Sequence, residues 1–95
     1  MKFVLLPRAL RDIRDIHLFI ARTDERAAGS VIERVSNSLR MIEERPYAGH
    51  VTEGRPTREW SVAGLPYVIP YRITATRIEV LRVYHTRRSR PADWQ

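Results

Sequence analysis

Apolar positions along this 95-residue chain follow two different periods, and the change of period divides it. From residue 8, Ala9, Leu10, Ile13, Ile16, His17 and Ile20 recur at helical spacing, with Arg8, Arg11, Asp12, Arg14 and Asp15 around them. Pro7 closes a short apolar strand over 2–6 and suits the first turn of this helix, which should end near Arg22. Asp24 is placed to cap a second helix, with Glu25 in its favourable first turn. Ala28, Val31, Ile32, Val35, Leu39 and Ile42 form its stripe, and Pro46 stops it. So short a connection makes the two helices an antiparallel hairpin.

Beyond residue 57 the pattern becomes that of strands, dense in β-branched and aromatic residues: 59–63, 67–74 and 77–85. Gly64, Leu65 and Pro66 make the first connection, and Ala75 and Thr76 the second. In the last strand Ile78 and Val80 alternate with Glu79, Leu81 and Val83, so both faces are largely apolar and one needs a cover. The helix hairpin supplies it. Residues 46–57 hold two prolines and two glycines without a sustained period and read as loop. Pro70 interrupts an interior strand, so its nitrogen should fall at a bulge or a gap in pairing.

The order strand, helix, helix, strand, strand, strand predicts an α+β fold. One domain is expected over 1–95: a helix hairpin over 8–45, a sheet-forming half over 58–85 and a basic tail over 86–95. Leu10, Ile13, Ile16, Ile20 and the second helix's stripe should pack on Ile69, Tyr71, Ile73, Ile78, Val80 and Leu81. Trp60 should join the core.

Charge adds a direction. The formal net charge is +6, and sixteen of the 17 basic residues are arginine. Residues 8–45 nearly balance, whereas 58–95 carry seven bases against three acids. The positive field thus belongs to the sheet and tail, and suits nucleic acid or an acidic protein partner. The codon choice of a high-GC genome accounts for arginine over lysine equally well. Without cysteine there is no disulfide or thiolate metal site, which fits a cytosolic protein. The N-terminal apolar run is too short for a signal peptide or membrane span.

His85, followed by Arg87, Arg88 and Arg90, is the densest polar cluster. Read functionally, His85 is a general base and the arginines phosphate clamps, as in RNA cleavage. Read structurally, it is a strand-end histidine before a solvated tail. Arg72 either faces a groove or lays its stem over apolar surface. Trp94 is either tail packing or a partner contact. His17, His50 and His85 lack metal-ligand spacing. No glycine-rich phosphate loop, nucleophile elbow or paired-carboxylate pattern is present, so neither metal nor cofactor is expected.

Several stretches together resemble a known family. Pro7, Ala9, Asp12, Ile13 and Ile16 look like its first helix, and Ala28, Ile32, Leu39, Ile42, Pro46 and Gly49 like its second helix and exit. Pro66, Tyr67, Val68, Ile69, Pro70, Tyr71, Arg72 and Ile73, then Arg77 through His85 and Arg88, match most strongly. The chain resembles the RelE/ParE superfamily of type II toxin–antitoxin toxins over nearly its whole length.

The resemblance implies a β-α-α-β-β-β fold, an antiparallel-rich sheet with the helix hairpin on one face. It implies a cytoplasmic toxin held in a hetero-oligomer by the acidic C-terminal segment of a cognate antitoxin. Two targets stay open. ParE-like members poison DNA gyrase, and RelE-like members cut mRNA on the ribosome. Ribonuclease members tend to carry arginine where this chain has Val68, and a tyrosine beyond the position of His85, where it has none. The ParE branch is therefore favoured, with no catalytic residue. In the ribonuclease alternative, His85, Arg72, Arg82 and Arg88 would carry the chemistry. Arg87, Arg88, Arg90 and Trp94 are the expected contacts to antitoxin or target. A non-toxic member retained for binding alone is a third reading.

Overall fold

A computed structural model describes residues 1–87. Strand β1 (Phe3–Leu5) leads into helix α1 (Pro7–Ala21), then α2 (Glu25–Glu44). Strands β2 (His50–Val51), β3 (Arg58–Ser61), β4 (Tyr67–Ile73), β5 (Ile78–Val80) and β6 (Tyr84–His85) follow. The sheet runs β1-β5-β4-β3-β2, with β6 paired to β4 beyond β5. Only β1 and β5 pair in parallel; the other neighbours are antiparallel. This is the expected α+β arrangement, with two short strands more than the sequence pattern suggested.

Both helices start where the sequence places them. Pro7 opens α1 after extended Leu6, needing no amide partner there. The Asp24 side chain accepts a 3.0 Å bond from the Ala27 amide, the capping role expected of it. At the other end of α2, Glu43 accepts from the Phe3 amide at 2.9 Å and ties the helix to β1.

The helices cover the face that carries Val62, Ile69, Tyr71, Ile78, Val80 and Val83, using Ala9, Val35, Leu39 and Ile42. All ten are at most 4% exposed. Trp60, Ile13 and Ile16 are half-buried against them. The expectation fails at Leu10, which is 47% exposed, and at His17, also exposed. The line that joins the core is Ala9, Ile13 and Ile16; Leu10 lies one residue beyond Ala9, about 100° round the helix. On the sheet's other face Val68, Pro70 and Leu81 are buried too, so the central strands are sheltered on both sides.

The single strand expected over 77–85 is two strands, and the break is chemical. Tyr71 pairs with Val80, and Val68 pairs with Tyr84. Between those pairs Ile69 and Pro70 face three residues, 81–83, so one extra residue is inserted. The Pro70 carbonyl accepts from the Leu81 amide at 2.9 Å, but its nitrogen has no hydrogen to return. The bulge falls where the ladder cannot close, as the proline predicted.

The stretch read as loop also holds structure. It contains a 3-10 turn over Pro46–Ala48 and the short β2. Tyr71 staples that turn to the sheet: its hydroxyl donates to the Pro46 carbonyl at 2.6 Å and accepts from the Gly49 amide at 3.1 Å. Burial of the ring holds the phenol above its ordinary pKa. A Cβ on Gly49 would lie 2.1 Å from the tyrosine oxygen, so this position needs glycine.

Candidate functional site

Asp12, Asp15, Phe19 and Arg22 recur at intervals of three, four and three, a second stripe along α1 beside the core-facing one. It forms one wall of a groove of about 560 Å³, together with Leu18. The opposite wall is Tyr67, Arg82, Val83, Tyr84 and His85. Phe19 is 63% exposed and Leu18 56%, so the helix wall presents uncovered apolar surface.

The sheet wall is an open strand edge. The Thr86 amide donates to the Pro66 carbonyl at 2.8 Å, and Tyr84 faces Val68. By alternation the main-chain groups of Val83 and His85 point away from β4, into the groove. The Val83 amide donates to Asp12 Oδ2 at 2.9 Å. The main chain of His85 is left as a pairing edge among the described residues.

Asp12 also grips Arg82, accepting from Nε at 2.6 Å and Nη2 at 3.0 Å. That bidentate bond, made chiefly through the side-chain hydrogen bonds, holds the guanidinium above its ordinary pKa. Its charge is spent on Asp12. The His85 ring meets Tyr67 edge-on, with centroids 5.4 Å apart and planes at 81°. Its Nδ1 accepts from the Arg87 amide at 3.1 Å, so the neutral ring carries its proton on Nε2.

The residues singled out in the sequence therefore separate. His85 and Arg82 share the groove. Arg72 pairs across from Glu79 near the far end of β4, about 13 Å along the strand from Val68, which faces the β6 end. There Arg72 Nε donates to Glu79 Oε1 at 2.6 Å, while Arg77 Nη2 donates to Oε2 at 2.6 Å. These bonds, Arg72's first and Arg77's next, hold the Glu79 carboxyl below its ordinary pKa. Arg87 is exposed just past β6. Arg88, Arg90 and Trp94 lie outside the described residues. Leu18, Phe19 and Tyr67 are not among the site residues the sequence suggests, and Asp12 figures there only as helix surface and in the first-helix resemblance. The signal for the α1 side was the second helical stripe.

A groove with exposed apolar side chains on its helix wall and an open strand edge on the other has the features that strand addition by a polypeptide uses. Comparison with known proteins decides the family. Residues 3–90 match the family model described as the ParE toxin of the type II toxin–antitoxin system, parDE. The chain belongs to the ParE toxin family. It is 36% identical over 84 residues to "Putative toxin Y4kP" of Sinorhizobium fredii (strain NBRC 101917 / NGR234), covering 88% of this chain and 86% of that relative. Its fold superposes with a TM-score of 0.80 on a chain of the chromosomal ParDE TA system from P. aeruginosa. That likeness covers 90% of this chain and 95% of the other at 17% identity, and is one of fold. The ParE resemblance read from the sequence and its α+β architecture are both upheld. Among the described residues of this ParE-family chain, no helix is long and apolar enough to cross a membrane.

Proposed function

We propose that this ParE-family chain is the toxin of a two-component module, neutralised by direct binding of a cognate antitoxin, and that free of it the toxin inhibits DNA gyrase and arrests growth in the cytoplasm. The observation that carries the choice of target is the engagement of Arg82 by Asp12. Metal-independent RNA cleavage needs a base, an acid and cations turned toward the phosphorane. Among the described residues that line this groove with His85 the cations are Arg82, neutralised by a bidentate carboxylate, and Arg22 on the opposite wall. Arg72 is committed to Glu79 at the far end of the strand. The position where ribonuclease members of the superfamily tend to carry arginine is Val68, which is 9% exposed. These features support a toxin that acts by binding.

The antitoxin is assigned to the groove between α1 and β6. An acidic C-terminal segment would lay apolar side chains on Leu18 and Phe19 and pair its backbone with His85, while acids meet Arg87 and the further arginines, Arg88 and Arg90. Trp94 joins this contact or that with the target. A plasmid-stabilising role goes with the same reading, since loss of the antitoxin would release the toxin.

The deciding experiment expresses the chain without its partner and follows both outcomes. Filamentation with trapped gyrase–DNA cleavage complexes is expected. Rapid translation arrest with cut mRNA would move the assignment to the ribonuclease branch, and unimpaired growth to a binding-only member. His85→Ala should leave growth inhibition intact under the gyrase reading and abolish it under the ribonuclease one.

A further inference from the structure

A second, smaller pocket lies at the opposite end of β4, between the 52–57 turn and the strand's last residues. Its volume is about 270 Å³, below the range of sites that enclose a small molecule, and it suits one anionic group carried on a larger ligand. Three guanidiniums line it: Arg55, Arg58 and Arg72. Glu53, the acid of that turn, does not. Arg58 Nη1 donates to the carbonyls of Tyr47 and Gly49 at 2.9 and 3.1 Å, neutral partners that leave its charge uncancelled. Arg72 shares a single carboxylate, Glu79, with Arg77, so that trio keeps a net positive charge.

Two further observations point to a ligand. Thr57 lines the pocket and is 3% exposed, and its buried hydroxyl has no hydrogen-bond partner among the described residues. A buried hydroxyl left unpaired destabilises a fold, and a ligand oxygen in the pocket would satisfy it. Tyr47 stands at the same rim, 66% exposed, with the Arg58 guanidinium 5.4 Å from its ring centroid. An aromatic face held beside a guanidinium and a hydroxyl matches a nucleotide in an unpaired strand, whose base stacks while its phosphate takes the polar groups.

We propose that this pocket binds a backbone phosphate of a single-stranded nucleic acid, with the adjoining base stacked on Tyr47. The site is separate from the α1–β6 groove and does not depend on which target the toxin has. An acidic peptide is the competing occupant, and it has no use for the exposed ring.

The test measures fluorescence anisotropy of labelled oligothymidylate and oligouridylate with the purified full chain, against a labelled oligoglutamate peptide. Because the whole protein is basic, position-specific effects matter more than binding itself. Tyr47→Ala and Thr57→Val should each weaken oligonucleotide binding about fivefold or more. Thr57→Val should leave the melting temperature unchanged or raised, since it removes an unpaired hydroxyl. Arg55→Gln should lower the salt slope of binding by about one. Arg14→Gln, on the exposed face of α1, should change affinity less than about twofold. Whichever oligonucleotide binds more tightly with this pattern names the strand. Equal losses for Arg14→Gln and Arg55→Gln with no effect of Tyr47→Ala would show only diffuse attraction and overturn the proposal. So would tighter oligoglutamate binding that needs Arg55 and ignores Tyr47.

Discussion

Asp12 and Arg82 lie 70 positions apart and form a two-pronged ion pair, at 2.6 and 3.0 Å, that fastens α1 to the break between β5 and β6. The same carboxylate receives the Val83 amide, so one side chain satisfies a guanidinium and a main-chain donor that the bulge releases from the ladder. Both side chains are largely covered, at 15% and 19% exposure. Asp12→Ala strands both donors and should cost about 2–4 kcal/mol in urea unfolding. The double variant Asp12→Ala with Arg82→Met should recover part of that loss. Additive losses in the cycle would show that the pair does not act as a unit.

The helix phase yields a paired prediction. Leu39 is 4% exposed in the core, and Leu10 is 47% exposed. Leu39→Ala should destabilise by about 2–5 kcal/mol. Leu10→Ala should stay within about 0.5–1 kcal/mol. Similar costs for the two would mean that α1 is rotated from the orientation described.

What could be read from the sequence follows from what each signal encodes. Asp24, Pro7 and Pro46 act within a few residues of themselves, so the helix ends were legible from local chemistry. Pro70 announced a defect in the ladder because the missing hydrogen belongs to the residue. The consequence on the partner strand did not show: Leu81 and Val83 continue the strand-like apolar pattern on either side of Arg82, and only the register reveals the insertion. Leu10 and Phe19 mark the same limit on a helix. Periodicity finds an apolar stripe but not its width, so Leu10 was assigned inward although it lies beyond the core edge. Phe19 belongs to a stripe with two acids and an arginine, whose value as a binding wall depends on β6 standing opposite. The pairing of Arg82 with Asp12 rests on that long-range placement too, and sequence separation hides it.

The Glu79 carboxyl gives a pH dependence of definite sign. Two arginines hold its pKa in the folded state below the ordinary 4.5, while the unfolded chain titrates near that value. The unfolded state therefore takes up the proton first as pH falls. The stability this group contributes is complete above about pH 4.5 to 5 and is lost as pH drops toward and through its folded pKa. Denaturant midpoints measured across this acid range should fall for the parent chain. Glu79→Gln should be less stable at neutral pH and show a shallower fall. An unchanged slope would place the acid sensitivity in other carboxylates.

Phe19 carries the sharpest prediction for the partner. Its ring is 63% exposed beside the open main chain of His85, so the free toxin derives little stability from it. A bound segment would cover the ring on one side while pairing with the strand edge on the other. Apolar anchors desolvated in this way carry a disproportionate share of binding energy. Phe19→Asp should leave the melting temperature of the toxin nearly unchanged and weaken the antitoxin complex by at least about 2 kcal/mol, roughly thirtyfold in Kd. The substitution also places a negative charge before the acidic segment proposed for the antitoxin, so Phe19→Ala should show the apolar part of the loss alone. Raising salt should slow association of the parent toxin while changing dissociation less, because the sheet-side arginines act on encounter. Phe19→Ala should do the opposite, with faster dissociation at an almost unaltered on-rate. A complex indifferent to both Phe19 substitutions would move the antitoxin to another face of the toxin.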